Sequence, residues 1–168
     1  MATMDIIPTV DDPMALFNVW FKDAQDSEIN DPDAMSLATA TPGGVPSVRM
    51  VLLKALSAEG FTFYTNKESR KGQQIGLNSH AALCFHWKSL RRQVRIEGTL
   101  TEVGPDRADE YFASRSRESQ IGAWASNQSR PMADRLIFME RVKGATARFE
   151  GQDVPRPRHW SGFQLTPV

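Results

Sequence analysis

Cysteine is almost absent from this sequence, because Cys84 is the only one among its 168 residues. A single thiol can form neither an intrachain disulfide nor a cysteine-based metal cluster. Cys84 lies in an apolar run, residues 81–85, which indicates a small buried side chain rather than a reactive one. The three histidines, His80, His86 and His159, lack the H-E-x-x-H spacing of a zinc enzyme. We therefore expect no metal site.

Long apolar runs and an excess of charge of either sign are missing as well. No run approaches the roughly 20 residues needed to span a bilayer, and residues 1–10 lack the features of a secretory signal. Twenty basic residues balance twenty acidic ones, so no overall field attracts nucleic acid or anionic membrane. The local basic group Lys88, Arg91, Arg92 and Arg95 has no interleaved aromatic residues. We expect a cytoplasmic protein without nucleic-acid or membrane partners, and a flexible segment over residues 1–10.

The familiar catalytic and phosphate-binding motifs are not there either. No G-x-G-x-x-G follows a strand, and there is no Walker A lysine loop and no G-x-S-x-G elbow. Dinucleotide, P-loop and nucleophilic-hydrolase functions therefore lack their characteristic loops. We assign no catalytic residue and expect the chemistry to belong to a bound organic cofactor.

What the sequence does contain is a series of strand patterns with helices around them. Asp12 and Pro13 predict the start of a first helix. Strands are predicted over residues 35–41, 45–56, 61–65, 81–87, 94–100 and 159–166, and helices over 69–77, 105–114 and from Pro131 to the prolines at 155 and 157. Consecutive strands are joined mostly by turns, which favours a mainly antiparallel α+β fold over a doubly wound parallel sheet. No linker or repeat divides the chain, so we expect one domain over residues 1–168.

A polar turn between a strand and a helix, Tyr64 to Lys71, is the most informative segment. The predicted helix begins at or near Ser69, and a helix N-terminus offers free N–H groups and partial positive charge to a phosphate. Arg70 and Lys71 lie in the first turn, where their charges oppose the helix dipole unless an anion is close. The alternative is a serine cap followed by solvated charges.

The strand Arg49-Met50-Val51-Leu52-Leu53-Lys54 carries a cation at each end. Side chains alternate between the two faces of a strand, so Arg49 and Lys54 are predicted on opposite faces. An apolar strand of this kind can line a flat aromatic ligand. The alternative is a core strand whose terminal charges reach solvent.

Three donors follow at four-residue spacing, Tyr111, Arg115 and Ser119. If the preceding helix continues that far, they share one face, and a phenol, a guanidinium and a hydroxyl together suit a phosphate or carboxylate. The alternative is a solvated helix face. Gln128-Ser129 is a further polar pair, whose alternative role is helix capping.

These segments together carry a resemblance. The sequence resembles the pyridoxine/pyridoxamine 5′-phosphate oxidase family, FMN-dependent enzymes of vitamin B6 metabolism with a split β-barrel fold. The similarity runs from about Leu16 to Phe163, and the order and spacing of the motifs make it specific. The motifs are Arg49–Lys54, Phe63-Tyr64-Thr65-Asn66, Ser69-Arg70-Lys71, Arg92-Gln93-Val94, Tyr111-Phe112 with Ser114-Arg115, and Ser119–Trp124 followed by Gln128-Ser129.

The resemblance implies FMN as the cofactor, a homodimer with FMN at its interface, and a role for each motif residue. Arg70 and Lys71 resemble a clamp for the FMN phosphate. The full set of implied FMN contacts is Arg49, Met50, Val51, Leu52, Leu53, Lys54, Tyr64, Thr65, Arg70, Lys71, Gln93, Gln128 and Ser129. The implied substrate-phosphate site is Lys54, Tyr111, Arg115 and Ser119.

The implied reaction is oxidation of pyridoxine or pyridoxamine 5′-phosphate at carbon C4′. Hydride passes to the flavin and oxygen reoxidises it, giving pyridoxal 5′-phosphate and hydrogen peroxide. Family members continue past the position of Val168 with strands that include a tryptophan and an Arg-x-His-x-Arg stretch, which this sequence does not contain. We expect their loss to open the pocket over the substrate ring and to impair oxidase activity.

Two other functions stay open at this point. One is a protein of the same fold that binds FMN or pyridoxal phosphate with little turnover, which the short C-terminus favours. The other is a flavoenzyme that acts on another substrate, such as a phenazine precursor. The substrate-phosphate residues Lys54, Tyr111, Arg115 and Ser119 argue against the latter.

Overall fold

A computed structural model describes residues 7–168, so the predicted flexibility of residues 1–10 falls largely on residues outside the described range. The described residues form five helices and seven strands. In chain order these are α1 (Pro13–Ser27), β1 (Ala34–Ala40), β2 (Pro46–Leu52), β3 (Ala55–Ser57), β4 (Gly60–Asn66), α2 (Arg70–Leu77), β5 (His80–Trp87), β6 (Arg92–Glu102), α3 (Pro105–Ser114), α4 (Arg117–Ala125), α5 (Arg135–Arg148) and β7 (Trp160–Pro167).

The strands form one sheet in the order β2-β1-β5-β6-β7-β4-β3, and every neighbouring pair is antiparallel. This confirms the predicted antiparallel α+β fold. The two outermost strands, β2 and β3, are separated by only two residues of chain. The sheet therefore curls round on itself into a barrel, with β7 inserted between β6 and β4.

The single strand predicted over residues 45–56 is two strands in the structure. At the corner between them, the backbone N–H of Leu53 donates to Asp33 O at 2.8 Å, and that of Lys54 donates to Thr62 O at 2.8 Å. The chain thus leaves its pairing with β1 and takes up pairing with β4. This corner closes the barrel, and a pattern of apolar residues alone does not reveal it.

The helix predictions were correct at the start of α1 and α2 and for α3, which spans the predicted residues 105–114, whereas α4 was not predicted and the last helix begins later than predicted. The Asp12 side chain accepts from the N–H groups of Met14 and Ala15 at 2.8 and 3.2 Å, as predicted for the cap of α1. α3 ends at Ser114, and a separate α4 begins after the cap Ser116. α5 begins at Arg135 and not at Pro131, because the carboxylate of Asp134 caps it by accepting from Leu136 N at 2.9 Å.

Two apolar clusters hold the structure together. The larger one fills the barrel, where Phe17 of α1 packs edge-on against Phe61 and Phe85 with ring centroids 4.9 and 5.1 Å apart. The smaller one lies where α3, α4 and the end of α5 meet β7, and contains Phe112, Ile121, Phe149, Val154 and Trp160. The smaller cluster forms the floor of the site described next. None of the helices within residues 7–168 has the length and apolar character to cross a membrane.

Candidate functional site

A buried lysine at the start of α2 is the first component of the site. Ser69 caps the helix: its Oγ accepts from Gly72 N at 3.3 Å and donates to Asn66 O at 2.6 Å. Lys71 is only 8% exposed, and its Nζ donates to Gln128 Oε1 at 2.9 Å, Thr65 Oγ1 at 3.1 Å and Ser69 Oγ at 3.4 Å. All three acceptors are neutral. Over residues 7–168, no carboxylate forms an ion pair with this ammonium.

Two arginines add positive charge next to this lysine. Arg49 of β2 donates from Nη1 to Thr39 Oγ1 at 2.7 Å and to Leu37 O at 3.0 Å. Burial, and then the charge of Arg70, lower the pKa of Arg49. Burial, together with the charge of Arg49, lowers the pKa of Lys71 to about 8. We call Arg49, Arg70 and Lys71 the cation cluster. Its charges repel one another in the free protein, and an anion with two negative charges would relieve that repulsion.

A pocket of about 340 Å³ opens beside the cation cluster. Its lining residues are Tyr64, Thr65, Asn66, Arg115, Ser119, Gly122, Ala123, Ser126, Gln128 and Trp160. Thr65 and Gln128 both line the pocket and bind Lys71, so the pocket and the cation cluster form one continuous site.

Arg115 reaches this pocket, although the predicted geometry was wrong. Tyr111, Arg115 and Ser119 do not share one helix face, because α3 ends at Ser114 and Ser119 lies in α4. The turn between the two helices brings Arg115 and Ser119 to the same pocket wall. The Nη1 atom of Arg115 is buried and has no hydrogen-bond partner among the described residues. Burial lowers the pKa of this guanidinium, so a buried N–H donor remains available to an anion at this wall.

Parallel aromatic rings form a further part of the site, and two of them, Tyr64 and Trp160, line the pocket together with Arg115. The rings of Tyr64 and Tyr111 stack with centroids 3.9 Å apart, and Trp160 stacks on Tyr64 at 5.2 Å. Gly162 makes this arrangement possible, because a Cβ there would lie 2.6 Å from Tyr64 Cε1. Burial raises the pKa of Tyr64, against the charge of Arg107, so the phenol stays neutral. Tyr111 stacks on Tyr64 but does not itself line the pocket.

Several predicted site residues lie away from this pocket. The Lys54 ammonium pairs with Asp33 Oδ2 at 2.7 Å. Met50 and Leu52 are on the exposed face of β2, whereas Val51 is half-buried and Leu53 is buried in the core. Gln93 is exposed near the start of β6, opposite His86, and Ser129 is exposed with a φ of 64°. One copy of the chain therefore gathers Tyr64, Thr65, Lys71, Arg115, Ser119 and Gln128 around the site. It does not bring Met50, Leu52, Lys54 or Gln93 to it.

Two residues of the site were not predicted from the sequence. Trp160 was placed in a strand with no role, and its contact with Tyr64 depends on the pairing of β7 with β4, across a hundred residues of chain. Gln74 was also missed: its Oε1 accepts from Thr39 and Ser47, each at 2.6 Å, which fixes the hydroxyls that bind Arg49. A glutamine one turn after Lys71 was the only local signal.

The architecture of the barrel and the site place the protein in a known structural class. Structural comparison finds PhzG from Burkholderia lata 383, solved in complex with tetrahydrophenazine-1-carboxylic acid, with a TM-score of 0.90, 26% identity, and coverage of 97% of this chain and 82% of that one. A pyridoxamine 5′-phosphate oxidase-related, FMN-binding protein from Nostoc punctiforme matches with a TM-score of 0.72 at 18% identity, over 95% of this chain and 84% of its own. The fold is the FMN-binding split barrel, as predicted.

The family follows from sequence comparison. The family model described as pyridoxamine 5′-phosphate oxidase matches residues 21–148, and the chain belongs to this family. A pyridoxine/pyridoxamine 5′-phosphate oxidase from Erythrobacter litoralis is 59% identical over 99% of this chain and 78% of its own length. Another, from Sphingopyxis alaskensis, is 61% identical over 94% of this chain and 73% of its own. The predicted family is confirmed.

Proposed function

We propose that the protein binds FMN and oxidises pyridoxine or pyridoxamine 5′-phosphate to pyridoxal 5′-phosphate, with oxygen as the acceptor and hydrogen peroxide as the second product. The observation that carries this proposal is the pairing of two anion sites, the cation cluster and the wall at Arg115. Family membership and the names of relatives at 59% and 61% identity support it.

The cation cluster fits the phosphate of FMN. A buried ammonium whose three acceptors are neutral, with two arginines nearby, keeps its charge available for a ligand. A phosphate monoester carries nearly two negative charges at neutral pH. We assign Arg49, Arg70 and Lys71 to this phosphate, with Thr65 and Gln128 positioning the lysine.

The wall at Arg115 fits the phosphate of the substrate. The orphaned Nη1 of Arg115 and the Ser119 hydroxyl lie at the same pocket, and charge-assisted hydrogen bonds to phosphate are among the strongest in proteins. Tyr111 of α3 stacks on Tyr64, which lines the same pocket, and we assign it a supporting role beside this phosphate.

The predicted contacts that lie outside the pocket support a homodimer. β2 is an edge strand, and its outward side chains Val48 and Met50 are 68% and 60% exposed. Exposed apolar side chains on an edge strand are typical of a surface that a partner protein buries. We propose that a second copy covers it with FMN between them, so that Met50, Leu52, Lys54 and Gln93 of one copy serve a site shared with the other.

FMN, when bound, supplies the ring that accepts a hydride and reacts with oxygen. The protein's own residues have simpler tasks. The cation cluster holds the cofactor, Arg115 and Ser119 hold the substrate phosphate, and the aromatic rings exclude water from one side. Holding two reactants in register can itself lower a barrier by several kcal/mol, about 7 or more in favourable cases.

A flavoenzyme for another substrate is the second candidate, because the fold of PhzG superimposes so closely. Its 26% identity is much lower than the 59% and 61% of the oxidase relatives. The free Arg115 donor favours a phosphorylated substrate.

The test is to load the protein with FMN, remove oxygen, add pyridoxine 5′-phosphate and record the visible absorbance of the flavin. We expect the absorbance to bleach and to recover when air is admitted. A flavin that binds but stays oxidised contradicts the oxidase proposal and favours a binding protein or another substrate.

A further inference from the structure

The half-buried guanidinium of Arg115 lies against aromatic rings and not beside a carboxylate. Its guanidinium carbon lies 4.9 Å from the centroid of the Trp160 ring and 5.6 Å from that of Phe112. None of the four ion pairs within residues 7–168 includes it. Even partial burial of a charge without a counter-ion is costly, and the π faces offset part of that cost. Unlike a carboxylate, they leave the positive charge uncompensated.

The Trp160 ring is itself held rigidly. It is 7% exposed, stacks on Tyr64, and packs edge-on against Phe112 with centroids 5.0 Å apart. Its carbonyl oxygen accepts from Arg156 Nη1 at 2.8 Å, and Arg156 Nε donates to Asp109 at 2.7 Å. Strand register, stacking and this ion pair therefore fix the surface on which the guanidinium lies.

We propose that Trp160 is a positioning residue for substrate binding: its indole face holds Arg115 at the pocket wall with its buried N–H directed to the substrate phosphate. The inference rests on the proposed function, since that function supplies the phosphate. Trp160 lines the pocket and is nearer to the guanidinium than Phe112. Tryptophan is also the strongest cation–π partner among the aromatic side chains.

The test is a double-mutant cycle between Trp160→Leu and Arg115→Ala. Binding of pyridoxine 5′-phosphate to the FMN-loaded protein is measured by titration calorimetry, and KM and kcat are measured separately. We expect Trp160→Leu to weaken binding and raise KM about tenfold, as the loss of a desolvated cation–π contact implies, with kcat and FMN affinity little changed. In the Arg115→Ala background, Trp160→Leu should cause no further loss of substrate affinity, because both substitutions remove the same contact between the guanidinium and the indole ring.

Two further variants separate positioning from general packing. Trp160→Phe keeps a ring and is expected to lose only about threefold in affinity, because phenylalanine is a weaker cation–π partner. Trp124→Leu is the matched control: Trp124 packs against the same cluster and lies under Arg148 at 4.7 Å, but it does not line the pocket. It is expected to leave substrate affinity unchanged. If Trp160→Leu does not fold, the cycle is run with Trp160→Phe.

The outcomes are distinct. Unchanged affinity in Trp160→Leu, or a loss that adds fully to that of Arg115→Ala, shows that Trp160 is only a packing residue and overturns the inference. A wild type that binds pyridoxine 5′-phosphate without oxidising it contradicts the oxidase proposal and leaves the binding cycle as the test of Trp160. A wild type that does not bind it at all contradicts both proposals.

Discussion

FMN binding should weaken as the pH rises above 8, because the Lys71 ammonium loses its proton in the free protein. Burial and Arg49 lower the pKa of Lys71 from 10.5 to about 8. A bound phosphate dianion stabilises the protonated form and raises that pKa again. The second pKa of a phosphate monoester is about 6, and arginine does not titrate here. Lys71 is therefore the group that sets the pH dependence between pH 7 and 9.

The size of the effect follows from the pKa. With a pKa of about 8, roughly nine-tenths of the free protein carries the proton at pH 7 and roughly one-tenth at pH 9. The Kd for FMN should therefore rise about tenfold over this range, and binding at pH 8 should take up about half a proton. The sign is fixed: protons are taken up on binding, and affinity is lost as the pH rises.

The assay is flavin fluorescence titration of the apoprotein from pH 7 to 9, with calorimetry in two buffers of different ionisation enthalpy to count protons. Lys71→Arg keeps a charge that does not titrate, so its Kd should be flat with pH. Lys71→Met should be flat and weaker by about thirtyfold or more, since deleting one member of a buried charge pair costs about 2 kcal/mol or more. A wild-type Kd equal at pH 7 and pH 9, or the same slope in Lys71→Arg, would refute the reasoning.

Two further predictions concern packing and assembly. Gly162→Ala should lower the free energy of unfolding by about 1–3 kcal/mol in urea titrations, because the new Cβ would lie 2.6 Å from the Tyr64 ring. Gly144→Ala is the control, since Gly144 lies in α5 with open space around it, and it should be neutral or stabilising. Equal effects of the two substitutions would contradict the close approach at Gly162. In sedimentation velocity the FMN-loaded chain, of 18.8 kDa, should run as a dimer. Val48→Asp on the exposed face of β2 should dissociate it and release FMN, whereas Val19→Asp on α1 should not; a flavin-loaded monomer of the wild type would contradict the interface-bound cofactor.

Local signals in the sequence were sufficient where a structure depends on neighbouring residues. The cap of α1 at Asp12 and that of α2 at Ser69 were both predictable, because a side chain and N–H groups two or three residues away form them. The hairpin of β1 and β2 was predictable for the same reason, because the proline and glycines at residues 42–44 are typical turn residues. The proximity of Lys71 to a phosphate was predicted from the same local signals, and its role in binding FMN stays a prediction.

Features that depend on distant residues were not predictable from patterns. Leu136 and Met139 share an apolar face in the sequence, yet they are 62% and 55% exposed, because α5 packs mainly through its C-terminal half. Arg115 contacts aromatic rings from α3 and β7, and no residue spacing in the sequence predicts the contact with β7.

The position of β7 has a consequence for how the chain is made. Trp160–Pro167 pairs with β4 on one side and β6 on the other, yet it is the last described strand to leave the ribosome. Until it arrives, β4 has only the three-residue β3 as a partner, and Phe61 and Phe63 lie on a strand with an open edge. Such half-built sheets are the species that aggregate or recruit chaperones during synthesis. Substitutions within residues 161–167 should therefore reduce the yield of soluble protein more than the activity of the molecules that mature.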